Sequence, residues 1–548
     1  MMKILIVNLT RLGDLLQSSP AIAGLKEMHP GSEVTVCADR NFAEVCGGLP
    51  GVDRVWELEL DQLGRLLIGG GAQELRAAYR MIEELVARLR GERFDLALNY
   101  SSSRMSAVLM GLIGVPDTRG WTMTPDGHRL IAGRWSRLFS ASALTRRQAP
   151  FNLVDCYKRI AGVTAGPRRL RFTVPPGARE QARSLLAAHG HGGGPLVALQ
   201  LGASRDIRRW PVASFIALGR ELDARLGARL LLCGGSGEQG VAAEVMAALG
   251  PRAIDACGRT SVAELGALLE QADVLVTGDT GPMHMAVAVG TPVVALFFGP
   301  ALPADTGPYA ADQVCLHADV PCAPCEHNVT CLEPFCRETL APGVVAEAVV
   351  ARRAGDWAGL AAAARWWPAV RCYRTRFDAE GLFDLEPLGE AAVDEPLRRA
   401  YRALWKAVLD GTPPAPMGRT LPREARAVRG LGALAAEGVA LARQAEVLAT
   451  AGAALDLDRL EEAARRLEEV DARLLRFGVI HEPAALLLQV FRFEKEGLEG
   501  EDVAALAVAT RRLHEDLAAQ ARLLADLLDP APRGVGDAPD WRFHAGVA

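Results

Sequence analysis

The sequence predicts an α/β fold of two similar halves, followed by an all-α region. Strand-like apolar segments alternate with helix-like segments, as they do in open parallel sheets. This alternation pauses between residues 162 and 176 and then restarts. After about residue 350 the chain becomes rich in Ala, Leu, Arg and Glu at helical spacing. We therefore predict domains at 1–170, 171–350 and 351–528 and a disordered tail at 529–548.

Composition excludes several classes of protein. The chain has 548 residues, of which 50% are hydrophobic and 23% are charged. This is ordinary globular composition, and it excludes a wholly disordered, collagen-like or small disulfide-stapled protein. The net charge of −5 and the aromatic content of 5% argue against a nucleic-acid partner.

No targeting or membrane-spanning segment is apparent in the sequence. The apolar run at residues 4–9 is too short for a signal peptide and is typical of a buried strand. The longest apolar run, residues 285–298, is interrupted by Gly290 and Pro292 and falls short of a membrane helix. We expect a cytoplasmic protein.

The first half contains nearly continuous apolar runs that predict parallel strands covered on both faces. A Ser-Ser-Pro sequence and an amphipathic segment predict the helices between them. The predicted strands are residues 3–9, 33–39, 52–58 and 94–102, and the predicted helices are 18–26 and 73–90.

The second half repeats this pattern, and each strand runs into a turn of small residues. The strand-plus-turn segments are residues 195–204, 228–238, 272–281 and 291–300, and the helices are 211–226, 261–272 and 283–289. Five further helices predict a bundle at residues 395–410, 423–450, 456–477, 483–495 and 501–528. Ligands of open parallel sheets bind outside the carboxyl ends of the strands, so we expect a site in the cleft between the two halves.

The stretch RLGDLLQSSPA at residues 11–21 follows the first strand directly. It places Asp14 at the carboxyl end of that strand, facing the cleft. A carboxylate there can take a proton from a substrate hydroxyl as a general base. A turn or helix-capping aspartate is the alternative, and from this stretch alone it is the better one.

The stretch LGASRDIRRWP at residues 201–211 is a candidate anion site. Small residues open the turn, Ser204 offers a hydroxyl, and Arg208 is one of three arginines. Arginine forks and a helix N-terminus both suit phosphate oxygens. A solvated basic turn is an equally good explanation.

Two further turns follow strands of the second half. In CGGSGE, residues 233–238, Glu238 follows glycines that allow close approach of a ligand, and a carboxylate there can hold ribose hydroxyls. In the segment 278–300, Asp279, Thr280 and Gly281 end a strand and open a helix that can hold a diphosphate. His284 lies on its first turn, either as a ligand contact or as a buried structural histidine.

These blocks, in this order and spacing, resemble glycosyltransferase family 9, the ADP-heptose:lipopolysaccharide heptosyltransferases. The match lies in RLGDLLQSSPAIAGLKEMHP, RDIRRWP, GGSGE and DTGPMHMAVAVGTPVVALFFGP, and it covers about residues 1–350. The resemblance implies a GT-B fold of two Rossmann-like domains, the acceptor on the first and a nucleotide-sugar on the second. It also implies inversion at the anomeric carbon without a catalytic metal.

The resemblance further implies roles for individual residues. Asp14 would be the general base on the acceptor hydroxyl. Arg208 stands where the family commonly has a lysine that binds the donor diphosphate, a change that keeps the charge but alters the geometry. The remaining donor-binding residues would be Ser204 for phosphate, Glu238 for ribose, and Asp279, Thr280, Gly281 and His284.

The expected partners are ADP-heptose, or another nucleotide-sugar, and a lipid-linked or lipopolysaccharide-core acceptor. Two other functions stay open. One is a GT-B sugar-nucleotide epimerase, whose own motifs do not stand out. The other is a non-catalytic scaffold that binds a nucleotide-sugar and docks a partner through its helical tail. Asp14 and the complete DTGPMH block argue against the scaffold.

The cysteines are unevenly distributed. Seven are scattered and are expected to be small core residues of a protein in a reducing compartment. Four lie in one loop with the spacing C-x2-C-x5-C-x4-C, which suits a structural zinc or iron–sulfur site, with free thiols or disulfides as the alternative. The four are Cys322, Cys325, Cys331 and Cys336.

A basic and aromatic segment, residues 128–148, is a candidate acceptor surface in the first half. Its Arg129, Arg134 and Arg137 could contact a phosphorylated lipid core or the surface of the inner membrane. A solvated helix or loop explains the same pattern equally well. The role of the helical tail stays open between oligomerisation, partner docking and membrane contact.

Overall fold

The computed structural model describes residues 1–326, 329–414, 417, 419–451 and 456–530. It divides into two compact units, residues 1–118 with 151–392 and residues 119–150 with 393–548. The first unit carries parallel sheets with helices, and the second carries a helical bundle. The predicted α/β fold with an all-α region is therefore confirmed. Residues 531–548 of the predicted tail lie outside the described part.

The first sheet of the larger unit is parallel, with β1 at its centre between β2 and β4 and with β3 beside β2. Its strands are almost fully apolar because helices cover both faces. The strands are β1 (Lys3–Asn8), β2 (Glu33–Asp39), β3 (Arg54–Leu58) and β4 (Leu96–Asn99). The helices around it are α1 (Leu12–Gln17), α2 (Ser19–Met28), α3 (Leu60–Gly69), α4 (Ala72–Glu92), α5 (Arg104–Ile113) and α7 (Leu153–Ile160).

The second sheet has eight strands in the order β14-β13-β12-β11-β10-β7-β8-β9. Its six strands from β12 to β9 are parallel, and β13 and β14 join antiparallel at one edge. The strands are β7 (Leu196–Gln200), β8 (Arg229–Cys233), β9 (Ala253–Asp255), β10 (Val274–Gly278), β11 (Val293–Phe297), β12 (Val314–Ala318), β13 (Val370–Phe377) and β14 (Phe383–Pro387).

Helices flank this second sheet, and a continuous core of aliphatic side chains joins them to it. At its carboxyl edge the turns after β8, β9 and β10 are short, so α10, α11 and α12 each start close to the strand before them. The helices are α8 (Pro176–Ala188), α9 (Val212–Leu226), α10 (Gln239–Leu249), α11 (Val262–Glu270), α12 (Gly281–Val289), α13 (Pro303–Thr306), α14 (Cys336–Thr339), α15 (Pro342–Ala354) and α16 (Trp357–Ala364).

The units divide the chain differently from the boundaries predicted at residues 170 and 350. The four parallel strands of the first sheet and all eight strands of the second fall in one unit, which reaches Ala392 and so includes β13 and β14. Residues 119–150, which were assigned to the first half, group instead with the bundle. Their side chains pack there, as Trp121 does against Phe493 with ring centroids 5.7 Å apart.

The helical unit contains a hairpin and six helices among its described residues. The five helices predicted near residues 395–528 are all present, with ends that differ by a few residues. The elements are β5 (Asp117–Met123), β6 (Arg129–Ala132), α6 (Arg134–Leu144), α17 (Glu395–Asp410), α18 (Pro422–Ala449), α19 (Leu457–Ile480), α20 (Ala485–Glu496) and α21 (Val503–Leu528).

A buried polar group links four helices of this unit. His514 on α21 is fully buried, and its two ring nitrogens lie 2.9 Å from the Thr510 carbonyl oxygen and 2.9 Å from the Asp471 carboxylate. Asp471 on α19 also forms an ion pair with Lys495 on α20. Gly438 permits α18 to approach, because a Cβ there would lie 2.4 Å from His514 Cδ2. The bundle therefore closes around a charged centre.

The scattered cysteines behave as expected. Cys37, Cys46, Cys156, Cys233, Cys257, Cys315 and Cys372 are all buried and free. Burial raises the pKa of the Cys37 and Cys233 thiols to about 12, so they remain protonated core groups. Within the described ranges, none of the helices is both long enough and apolar enough to cross a bilayer.

We predict that Asp471→Asn lowers the free energy of unfolding at pH 7 by about 2 kcal/mol, because it removes the buried carboxylate that pairs with Lys495 and hydrogen-bonds the ring of His514. Although burial opposes it, hydrogen bonds from His514 and Lys495 lower the pKa of Asp471. Its contribution is therefore complete above the unfolded pKa of about 3.9 and is lost as pH falls through the lower folded value. Urea titrations at pH 7 and pH 3 should show the difference between variant and wild type shrinking in acid.

Glu469→Gln is the matched control for this measurement. It removes an exposed carboxylate of the same helix, paired with Arg465 at 2.9 Å. Exposed pairs of this kind contribute at most about 0.5 kcal/mol. Equal losses for the two variants would contradict the importance assigned to the buried centre.

Candidate functional site

A cavity of about 620 Å³ lies in the larger unit, where turns after β1, β7, β8 and β10 meet. Both halves contribute to it, as the carboxyl-edge rule predicts. Eight predicted residues line this single cavity: Asp14, Ser204, Arg208, Glu238, Asp279, Thr280, Gly281 and His284. Their location in the cleft is thus observed, and their roles stay predictions.

Asp14 lies in the first turn of α1 and performs a structural task as well as lining the cavity. Its carboxylate accepts a hydrogen bond of 3.2 Å from the backbone N–H of Arg11, which satisfies one of the unpaired donors at the helix start. Burial raises the pKa of Asp14, and the nearby carboxylate of Asp279 raises it further. A carboxylate with a raised pKa is a stronger proton acceptor when ionised.

α1 and α12 approach each other closely beside Asp14. A Cβ on Gly13 would lie 2.9 Å from His284 Cδ2, and a Cβ on Gly281 would lie 2.8 Å from Leu12 Cδ2. A larger side chain at either position would require His284 or Leu12 to move. The glycines therefore allow the general-base candidate and the start of α12 to share one cavity.

His284 is buried, and its Nδ1 has no hydrogen-bond partner among the described residues. Burial lowers its pKa to about 4, so the ring is neutral at physiological pH. A neutral imidazole presents one donor and one acceptor. Such a ring can hydrogen-bond a hydroxyl or phosphate oxygen of a ligand. It can equally be the buried structural histidine that is the alternative to a ligand contact.

Arg208 is held in place by a carboxylate from the next strand along the sheet. Its Nη2 lies 2.7 Å from Asp279 Oδ2 and also donates to the Asp279 backbone carbonyl. The two side chains are 22% and 14% exposed, so the pair is enclosed but still faces the cavity. A guanidinium fixed in this way presents its remaining N–H groups to an anion without a large loss of side-chain entropy.

Glu238 is fixed by three neighbours. Arg209 Nη2 lies 3.0 Å from its Oε1, and the Gly235 N–H donates to its Oε2 at 2.9 Å. Gly202 passes so close that a Cβ there would lie 2.5 Å from the Glu238 carboxyl carbon. The carboxylate is thus oriented, with acceptor positions left for ligand hydroxyls.

The remaining predicted residues lie at helix and turn starts. Thr280 is the residue before α12, and its hydroxyl lies 3.0 Å from that of Thr277. Gly281 and Pro282 form the first turn, where backbone N–H groups and the helix dipole favour an anion. Ser204 lies in the turn that follows β7.

Sequence reasoning missed several polar or aromatic residues of the cavity. Two of them could have been found from the sequence. Gln17 follows Asp14 by three residues on the same helix, and Gln200 is the last residue of β7, so helical spacing and strand position were the available signals. Arg11, Phe42 and Thr306 carried no comparable signal. All five residues line the cavity.

The three acceptor candidates are not among the residues that line this cavity. They belong to the helical unit, where Arg134 Nη1 lies 3.4 Å from the Val408 carbonyl and Arg137 Nε donates to the Ile131 carbonyl at 3.0 Å. Burial lowers the pKa of Arg137, which the charge of Glu494 opposes. Arg129 is exposed and lies over the ring of Trp121, 4.2 Å from its centroid.

The cysteine loop braces the basic turn of the cavity. Arg205 Nη2 donates to the Val329 carbonyl at 2.8 Å, and Arg337 Nη1 donates to the carbonyls of Asp206 and Arg209 at 3.0 and 3.2 Å. All four of its cysteines are free, and mutual repulsion adds to burial in raising the pKa of the Cys325 thiol. Within the described part of the chain, no three His, Cys, Asp or Glu side chains are arranged to hold a metal ion.

Comparison with known proteins adds independent findings. Residues 82–335 match the family described as Glycosyltransferase family 9 (heptosyltransferase). The chain is 26% identical over 340 residues to lipopolysaccharide heptosyltransferase 1 of Pseudomonas aeruginosa, covering 61% of this chain and 88% of that one. It is 24% identical over 293 residues to lipopolysaccharide heptosyltransferase 3 of Escherichia coli, covering 52% and 80%.

A solved structure shares the fold of about two thirds of the chain. The glycosyl transferase family 9 protein from Veillonella parvula superposes with a TM-score of 0.51 at 20% identity, covering 65% of this chain and 98% of that one. At this identity the likeness concerns the fold. It agrees with the two-sheet architecture expected from the sequence.

Proposed function

We propose that this glycosyltransferase, whose residues 82–335 match glycosyltransferase family 9, inverts the anomeric carbon and needs no catalytic metal. It transfers heptose from ADP-heptose to a lipopolysaccharide core or related surface glycan. The observation that carries the proposal is a cavity that unites a carboxylate of raised pKa, Asp14, with the Arg208–Asp279 ion pair and with Glu238, which Arg209 holds in place. The names of the curated relatives support the choice of sugar and acceptor.

In the proposed reaction, the acceptor hydroxyl oxygen attacks the anomeric carbon of the donor. Asp14 accepts the hydroxyl proton, the new glycosidic C–O bond forms, and the bond to the diphosphate breaks. The nucleoside diphosphate leaves with that electron pair. The anomeric carbon passes through an oxocarbenium-like transition state, as in inverting glycoside hydrolysis.

The donor half stabilises the charge that develops on the leaving diphosphate. Arg208 supplies a positive charge at the cavity wall, and the start of α12 at Gly281 supplies backbone N–H groups. Ser204 and Thr280 offer hydroxyls to the phosphate oxygens. Glu238, oriented by Arg209, accepts hydrogen bonds from the ribose, and His284 completes the donor side.

On the acceptor side, we propose a lipid-linked or lipopolysaccharide-core substrate used at the cytoplasmic face of the inner membrane. Of the three basic candidates, Arg129 is exposed and can meet anionic groups of the acceptor or of the membrane surface. Arg134 and Arg137 are half-buried and satisfy carbonyl groups of their own unit, so we assign them a weaker part.

The cysteine loop supports a separate proposal of a structural zinc or iron–sulfur site at Cys322, Cys325, Cys331 and Cys336. Among the described residues, these side chains are not arranged around a metal. We expect protein purified without oxygen to contain about one zinc or one iron–sulfur cluster per chain, measured by elemental analysis. Protein that is free of both metals and fully active would leave these residues as a thiol loop that braces the donor turn.

The donor is tested by thermal shift with ADP-, UDP-, GDP- and TDP-sugars, followed by transfer assays with heptose-deficient lipopolysaccharide. ADP-heptose should raise Tm most and should yield ADP and a heptosylated product. A reaction that changes the sugar of a UDP-sugar without any acceptor would support the epimerase instead. Binding of a nucleotide-sugar with no turnover would support the non-catalytic scaffold.

We predict that Asp14→Asn lowers the transfer rate by about 10²–10⁴-fold, because the amide cannot accept the hydroxyl proton. Asn keeps an oxygen that can cap the Arg11 N–H, so the fold and ADP affinity should be unchanged. In the wild-type chain the rate should fall on the acid side at a pH above the ordinary aspartate pKa of about 3.9, since burial raises the pKa of Asp14.

Asp61→Asn is the control for a lost carboxylate in the same half, because Asp61 is exposed and lies outside the cavity. Its kinetics should match those of the wild-type chain. Persistent transfer by Asp14→Asn, measured by release of ADP with acceptor present, would mean that another group is the base.

A further inference from the structure

Four buried polar atoms of the cavity wall have no hydrogen-bond partner among the described residues. They are Gln17 Nε2, Gln200 Oε1, His284 Nδ1 and Thr306 Oγ1. A buried polar group without a partner is destabilising, so such groups persist where a ligand satisfies them. Gln17 is the most enclosed of the four, at 1% exposed, and it has no part in the reaction proposed so far.

The helix that carries Gln17 also carries the general-base candidate. Asp14 and Gln17 are three residues apart on α1, so their side chains lie on the same face of the helix. Leu15 and Leu16, between them, are fully buried in the core. α1 therefore presents one proton acceptor and one N–H donor, side by side, to the cavity.

We propose that Gln17 positions the acceptor sugar for attack. Its Nε2 donates a hydrogen bond to an oxygen adjacent to the attacking hydroxyl, while Asp14 accepts the proton of that hydroxyl. Two contacts on neighbouring oxygens fix which hydroxyl attacks. The inference rests on the proposed function and adds the residue that recognises the acceptor.

The position of Gln17 favours the acceptor over the donor. The residues that suit a diphosphate and a ribose, Arg208 and Glu238, stand on turns of the second sheet. Gln17 stands on the first half, at the end of the helix that follows β1. The chemical class it recognises is a sugar with a hydroxyl or carboxylate oxygen next to the nucleophile, and a site built for such an oxygen discriminates against an analogue that lacks it.

Gln17→Met removes the donor and keeps an unbranched side chain of similar length that helices tolerate. With ADP-heptose and heptose-deficient lipopolysaccharide, we expect kcat/KM for the acceptor to fall about 10- to 100-fold. The KM for ADP-heptose and the Kd for ADP should not change. Linkage analysis of the product should show a second positional isomer, a result that a purely structural role would not produce.

Gln17→Glu keeps the shape but replaces the N–H donor with a carboxylate beside Asp14. Like-charge repulsion should raise the pKa of Asp14 and move the acid limb of the rate profile to higher pH, whereas Gln17→Met should leave it in place. Gln200→Met is the matched contrast, because it changes a cavity glutamine on the donor half. It should leave the acceptor KM unchanged.

The outcomes separate this inference from the proposed function. If the wild-type chain transfers sugar and Gln17→Met has the same acceptor KM and the same product linkage, the role of Gln17 alone is overturned. If Gln17→Met has a lower Tm than the wild-type chain, the acceptor KM and the product linkage of Gln17→Glu decide whether Gln17 positions the acceptor. Failure of the wild-type chain to transfer sugar from any of the four nucleotide-sugar classes would overturn the proposed function and this inference with it.

Discussion

The close contact between α1 and α12 is the constraint on which the candidate site depends. Asp14 and the residues for the diphosphate come from different sheets, and they share a cavity only because these two helices start beside each other. Gly13 and Gly281 favour this contact, since a Cβ on either would lie under 3.0 Å from a side-chain atom of the opposite helix. A glycine destabilises a helix because its backbone loses more conformational freedom on folding. At these two positions it allows the general-base candidate to lie close to the donor site.

The donor side is rigid for a different reason, which is charge pairing between turns. Arg208 and Arg209 are neighbours in sequence but pair with carboxylates from two different strands, at Asp279 and at Glu238. The Arg208–Asp279 pair is the more enclosed of the two, so solvent screens it less than a surface pair. The turn after β7 is thereby tied to the turns after β8 and β10 before any ligand binds. The same arrangement acts on the base, because the Asp279 charge adds to burial in raising the pKa of Asp14.

Much of this arrangement could be predicted from the sequence, because local patterns determine it. Continuous apolar strands followed by small-residue turns indicate a parallel sheet and the edge at which ligands bind. That rule alone groups Asp14, Glu238 and Asp279. The partners of the arginines could not be predicted in this way. Arg208, Arg209 and Arg205 look alike in sequence, and only the fold directs the first two to carboxylates and the third to the Val329 carbonyl.

The grouping of residues 119–150 with the bundle could not be predicted from the order of elements in the sequence. This segment continues an α/β half and has the basic, aromatic character of a surface, yet its contacts are with residues far along the chain. Trp121 packs on Phe493, and Gln148 Oε1 accepts the Leu486 N–H at 3.0 Å. Long-range packing of this kind leaves no period in the sequence. The arginines of α6 are thus explained first by the unit they stabilise, which is why recognition of the acceptor is better sought on α1, beside the base.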